Sequence, residues 1–171
     1  MVTTTFRDLL IRYKAIEFGE FTLASGARSH YYIDVKTAVT HPDLLSAIAV
    51  TVSESYDFDI IAGVAVGGVP LATATALASK KPYAIIRASE KGHGKRDLII
   101  GSVKGKNVLL IEDVTTSGGS ALYGIEMLRA AGAHADRVVT VVDREQGAEE
   151  MLQGHDIRLL PLVKVSELLQ E

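Results

Sequence analysis

Cysteine is absent from the 171 residues. That excludes disulfide frameworks, thiolate metal sites and a cysteine nucleophile, and it fits a reducing compartment. No stretch approaches the roughly 18 consecutive apolar residues of a membrane span. The opening Met1-Val2-Thr3-Thr4-Thr5-Phe6-Arg7-Asp8 lacks the basic-then-apolar order of a signal peptide. A cytoplasmic protein with no membrane partner is therefore expected. Positive charge is not in excess either: Lys and Arg total 18 against 21 Asp and Glu, for a formal net charge of -3. A global basic field for nucleic acid is missing, and no nucleic-acid partner is expected. There is no internal repeat and no low-complexity stretch. Hydrophobic residues make up 47% and charged residues 23%, enough for a real core in one domain spanning 1–171.

The first apolar stripe is Phe6, Leu9, Leu10, Tyr13 and Ile16 at helical spacing, with Thr5 placed to cap it and Asp8 to answer. Phe18–Leu23 and Tyr31–Val35 read as strands around the turn residues Ser25-Gly26. Pro42 opens a second helix with an inner face of Leu44, Leu45, Ile48, Ala49 and Val52. From there strands and helices alternate. Strands are expected at 60–64, 83–86, 108–111, 138–142 and, more weakly, 157–160, with helices over 69–79 and from about 120 to 131. Uninterrupted rather than alternating apolar runs indicate strands buried on both faces. The alternation implies an α/β fold, a parallel sheet with helices on both faces. Residues 1–40 form an N-terminal cover, or hood.

The chemistry concentrates in Val108-Leu109-Leu110-Ile111-Glu112-Asp113-Val114-Thr115-Thr116-Ser117-Gly118-Gly119-Ser120. A buried strand ends in two adjacent acids; a loop of hydroxyls and glycines follows, and then a helix begins. Ligands bind beyond the carboxyl ends of strands in such sheets. Glycines let backbone N–H groups close on an anion, and the helix N-terminus adds a favourable dipole. A phosphate is expected over Thr115–Ser120. Glu112 and Asp113 would repel it, so they face vicinal sugar hydroxyls or a hydrated cation. The combination asks for a ribose 5-phosphate. No Lys follows the glycines, so this is not a Walker loop, and no Gly-x-Gly-x-x-Gly fingerprint occurs in the chain. Three further stretches stand out. Arg87-Ala88-Ser89-Glu90-Lys91-Gly92-His93-Gly94-Lys95-Arg96-Asp97 is a long polar loop with the character of an active-site lid. Gly63–Pro70 lies between a strand and a helix, suited to an amide-lined anion pocket or to close packing. Arg144 follows a buried strand at the sheet's ligand edge, where an Arg can pair with a carboxylate.

The stretch 108–120 resembles the phosphoribosyl-pyrophosphate signature of type I phosphoribosyltransferases. With Phe18–Gly26, Tyr31–Asp34, Arg87–Gly94 and Val142–Gly147, the resemblance sharpens to the orotate phosphoribosyltransferase family, from about residue 6 to 165. It implies transfer of phosphoribosyl to orotate, giving orotidine 5′-monophosphate and pyrophosphate, in pyrimidine biosynthesis. It implies Mg²⁺ as cofactor, with few protein ligands, and a homodimer with shared active sites. Arg87, Lys91, His93, Glu112, Asp113, Val114, Thr115, Thr116, Ser117, Gly118, Gly119 and Ser120 would contact phosphoribosyl pyrophosphate. Lys91, His93 and Asp113 would be catalytic, and Thr116, Arg144, Tyr31 and Tyr32 would meet orotate. Two rival readings are a purine phosphoribosyltransferase and a non-catalytic transcription regulator on the same fold. The chain departs from the family pattern at Ala24, Gly67 and Ala88, where many relatives carry lysine. Arg28, Lys95 and Arg96 are candidates to replace those cations.

Overall fold

β-branched and leucine runs form the centre of the molecule because both faces of their strands are covered. The computed structural model describes residues 6–22, 26, 28–88 and 98–169. A six-stranded sheet is built from β3 (Ile60–Val64), β4 (Tyr83–Ile86), β5 (Ile99–Ile100), β6 (Asn107–Thr115), β7 (His134–Asp143) and β8 (Arg158–Lys164), in the order β5-β4-β3-β6-β7-β8. All neighbours are parallel except β4 and β5. The sheet is thus mixed at one edge, where a two-residue strand too short to show in the sequence pattern turns back.

Strand alternation splits the core into two layers. Leu109 and Ile111 of β6 face one side, with Leu71, Ala72 and Ala76 of α4 (Gly68–Ser79) and Leu44, Ile48 and Val52 of α3 (Pro42–Ser55). Val108 and Leu110 face the other side, with Ile125 and Leu128 of α5 (Gly119–Ala130) and Leu152 of α6 (Ala148–Gln153). Leu109, Leu110 and Ile111 are all fully buried, each contributing about 1.5–3 kcal/mol by leaving water.

The N-terminal region supplies α1 (Phe6–Arg12), the antiparallel pair β1 (Ile16–Thr22) and β2 (Arg28–Ile33), and α2 (Val35–Ala38). Leu10, Ala15, Ile16, Val35, Ala38 and Val39 join the same buried layer as α3 and α4. The expected first stripe is shorter than its spacing predicts: the helix ends at Arg12 and Ile16 opens β1. The second hood strand stops at Ile33, because the Asp34 carboxylate accepts from Thr37 N–H at 3.0 Å and starts α2. The α7 helix (Val165–Leu168) follows β8. Among the described residues no helix is long and apolar enough to cross a membrane.

Candidate active site

The apolar run of β6 continues through the acids to Thr115, because Val114 pairs with Val142 and Thr115 with Asp143 of β7. Glu112 and Asp113 therefore stand on a strand, not beyond it, and alternation sends them to opposite faces. Glu112 faces α5, where Ser120 Oγ donates to its Oε1 at 2.9 Å. Burial pushes the Glu112 carboxyl up to about 7; the Asp113 charge adds to this, while the Ser120 hydrogen bond and the Lys36 ammonium oppose it. Asp113 faces α2 and α4. Its Oδ2 lies 3.1 Å from Lys36 Nζ, and Gly67 lies so close that a Cβ there would stand 2.6 Å from the carboxyl carbon.

Past Thr115 the chain turns sharply into α5. Thr116, Ser117, Gly119 and Ser120 are exposed, while Val114 packs against the α3/α4 layer. Gly118 caps the helix in the left-handed region, φ 85, with no side chain capping the first turn. The first-turn N–H groups are left for a ligand, at the positive end of the helix dipole. Only glycine suits position 118: its φ disfavours a side chain, and a Cβ would meet Met151 Cε at 2.7 Å.

Next to this loop stands Arg144. Its N–H donates to the Thr115 carbonyl at 3.0 Å. Asp143, buried, ties both sides of the junction: it accepts from Thr115 Oγ1 at 3.1 Å and from Glu145 N–H at 3.2 Å. The Arg144 guanidinium lies 5.7 Å from the ring centre of Tyr31, and its buried Nε has no hydrogen-bond partner among the described residues. Tyr31 thus joins the sheet edge. Its carbonyl accepts from Ser29 Oγ at 2.6 Å. Tyr32 is not brought in by its side chain, which is half exposed and stands against Phe21.

The Gly63–Pro70 segment links β3 to α4, another helix whose N-terminus has no side-chain cap; the Ala65–Val66 peptide is cis. Arg87 is exposed just past β4. Its N–H donates to the Leu98 carbonyl at 2.8 Å and its carbonyl accepts from Tyr123 Oη at 2.9 Å. Those bonds close the base of the polar loop. Lys91 and His93, like Lys95, Arg96 and Ala24, lie outside the described residues. Among the described residues, no three His, Asp or Glu side chains gather where they could hold a metal ion.

Two residues at this edge were not singled out by sequence reasoning. Asp143 had a usable signal, an acid ending a buried strand immediately before Arg144. Lys36 had none, because only the tertiary fold brings it to Asp113.

A strand, an acid pair, an uncapped glycine-led helix and an arginine meet at one edge of a mixed sheet, and the class this fold defines is the phosphoribosyltransferases. The family model described as phosphoribosyl transferase domain matches residues 38–163. The orotate phosphoribosyltransferase of Methanocorpusculum labreanum is 69% identical over 162 residues, 95% of this chain and 96% of that protein. Among solved structures, orotate phosphoribosyltransferase of Mycobacterium tuberculosis in complex with Fe(III) dicitrate superposes with a TM-score of 0.83 at 31% identity, covering 96% of this chain and 99% of the other. The same enzyme in complex with 5-phospho-alpha-D-ribosyl 1-diphosphate gives 0.70 at 30% identity, covering 80% and 82%. The chain belongs to the orotate phosphoribosyltransferase family.

Proposed function

We propose that this protein transfers the phosphoribosyl group of phosphoribosyl pyrophosphate to orotate. The bond from the anomeric carbon to the diphosphate oxygen breaks, and pyrophosphate takes the electron pair. The bond from that carbon to the orotate ring nitrogen forms, and the nitrogen's proton passes to solvent or to pyrophosphate. The single observation that carries the reading is Arg144: a cation whose buried Nε has no partner among the described residues, beside an uncapped helix N-terminus, at the carboxyl edge of the sheet. Orotate supplies the carboxylate that completes it, and a purine base has none.

In this reading Thr115, Thr116, Ser117, Gly118, Gly119 and Ser120 hold the 5-phosphate through their backbone N–H groups and the hydroxyls of Thr116 and Ser117, those of Thr115 and Ser120 being given to Asp143 and Glu112. Glu112 and Asp113 accept from the ribose hydroxyls, and Val114, paired with Val142, carries the strand from them to the phosphate loop. Arg87, Lys91 and His93 neutralise the departing diphosphate, with Lys91 and His93 arriving on a loop from the partner of a homodimer. Thr116, Arg144 and the Tyr31–Tyr32 backbone position orotate. The chemistry of the donor set fits Mg²⁺: the Asp113 carboxylate, buried and 3.1 Å from Lys36 Nζ, is one hard oxygen donor, as suits an ion that keeps water and substrate oxygens as ligands. When bound, the ion would neutralise diphosphate charge. The whole chain acts as one domain, residues 1–40 being the hood, in the cytoplasm, and its product enters pyrimidine synthesis.

Arg144→Ala tests this. Leaving a buried carboxylate without its charged partner costs on the order of 2–5 kcal/mol. The variant should raise the Michaelis constant for orotate at least about 30-fold and that for phosphoribosyl pyrophosphate by less than about threefold. Equal effects on both substrates would show that Arg144 holds phosphate or the fold instead.

A further inference from the structure

Lys36 has no part in the reading above, yet several observations meet on it. Its Nζ lies 3.1 Å from Asp113 Oδ2, and its side chain is 64% exposed where that of Asp113 is 9%. The ammonium thus approaches the buried carboxylate from the solvent side and can leave Asp113 without disturbing packed atoms. Its base is anchored: Val35 and Ala38 on either side are buried, and Asp34 accepts from both the N–H and the hydroxyl of Thr37, at 3.0 and 2.7 Å. Across the carboxylate lies Gly67, where a Cβ would stand 2.6 Å from Asp113 Oδ1. The loop leading into α4 therefore supplies no side chain, and no charge, at that point. Val66, the residue before it, is apolar and points into solvent.

We propose that Lys36 is a substrate-contacting cation of this site. In the free protein it is parked on Asp113. When ribose hydroxyls donate to that carboxylate, the ammonium moves to the diphosphate oxygens beside the Gly67 turn and stabilises the charge that develops as pyrophosphate leaves. The hood thereby supplies the positive charge that the α4 loop omits. This rests on the phosphoribosyl reading of the site.

The test compares wild type with Lys36→Met and Lys36→Arg in the full chain, using three probes by calorimetry with Mg²⁺ present: phosphoribosyl pyrophosphate, inorganic pyrophosphate and ribose 5-phosphate. Lys36→Met should weaken the first two by roughly 10- to 100-fold, the range of a charge-assisted hydrogen bond, and should leave ribose 5-phosphate within about twofold. Lys36→Arg should recover most of the loss. In turnover, the methionine variant should lower kcat/KM for phosphoribosyl pyrophosphate by a similar factor while KM for orotate stays nearly constant. Equal weakening of all three probes would mean that Lys36 merely orients Asp113, overturning the proposal. A drop in melting temperature with unchanged binding would mean a structural ion pair, also overturning it. If wild type binds the probes but makes no orotidine 5′-monophosphate, the orotate reading fails while the Lys36 comparison still stands on binding. If wild type binds neither diphosphate, both fail.

Discussion

Glu112 and Asp113 are chain neighbours with opposite surroundings, and the difference has a pH signature. Glu112 is buried behind α5, and burial is the main reason its carboxyl is pushed up from 4.5 to about 7. The folded protein thus binds this proton more tightly than the unfolded chain does. The contribution to stability is complete below about pH 4.5 and is lost as pH rises through about 7. Moving a carboxyl that far corresponds to about 3 kcal/mol as an upper bound. Glu112→Gln keeps an acceptor for Ser120 and removes the titration. Urea unfolding at pH 5 and pH 8 should show wild type losing roughly 1–3 kcal/mol over that interval and the variant losing distinctly less. Equal losses would show that Glu112 is ionised as readily in the folded as in the unfolded state. The residue types at 112–120 and at 144 were legible in sequence because acids, hydroxyls and glycines follow a buried run in a fixed order. The divergence of the two acids was less so: a strand continuing past them to Thr115 depends on pairing with β7, which no local pattern announces.

At the scale of elements, β3, β4, β6 and β7 were legible because strands buried on both faces read as unbroken apolar runs. The α2 and α6 helices and the β5 strand were not. The first two are too short to show periodicity, and β5 is a two-residue edge whose partner lies across the polar loop. Close approach between elements was only half visible. Glycines at 63 and 68 fitted either an anion pocket or tight packing, and the geometry gives the packing directly: a Cβ on Gly63 would stand 2.3 Å from the Gly68 carbonyl oxygen, and one on Gly68 would stand 2.7 Å from that of Ile111. Both obstacles are backbone, so nothing can swing aside. Gly63→Ala should cost at least about 1–3 kcal/mol by overpacking, read as a lower urea midpoint, and should drag the α4 N-terminus away from Asp113. A midpoint equal to wild type would show that β3 and α4 separate freely.

For the molecule as a whole, the proposed dimer and the proposed loop can be tested together. One variant carries Lys91→Ala and His93→Ala, the other Glu112→Gln and Asp113→Asn; each homodimer should be nearly inactive. If the loop serves the partner's site, a mixed dimer has one site with both lesions and one with none. Co-unfolding and reassembling equal amounts makes about half the dimers mixed and restores roughly a quarter of all sites. No recovery in a mixture shown by light scattering and mass to contain mixed dimers would refute the shared site. Base choice is the wider question, since hood, sheet edge and phosphate loop all converge on it. Full-length protein, phosphoribosyl pyrophosphate and Mg²⁺ should be incubated in parallel with orotate, hypoxanthine and uracil, and nucleotide and pyrophosphate followed together. Orotate alone should yield nucleotide and pyrophosphate in equal amounts; nucleotide from hypoxanthine or uracil at a comparable rate, or none from orotate in protein that binds phosphoribosyl pyrophosphate, would contradict the assignment of Arg144 and with it the function proposed here.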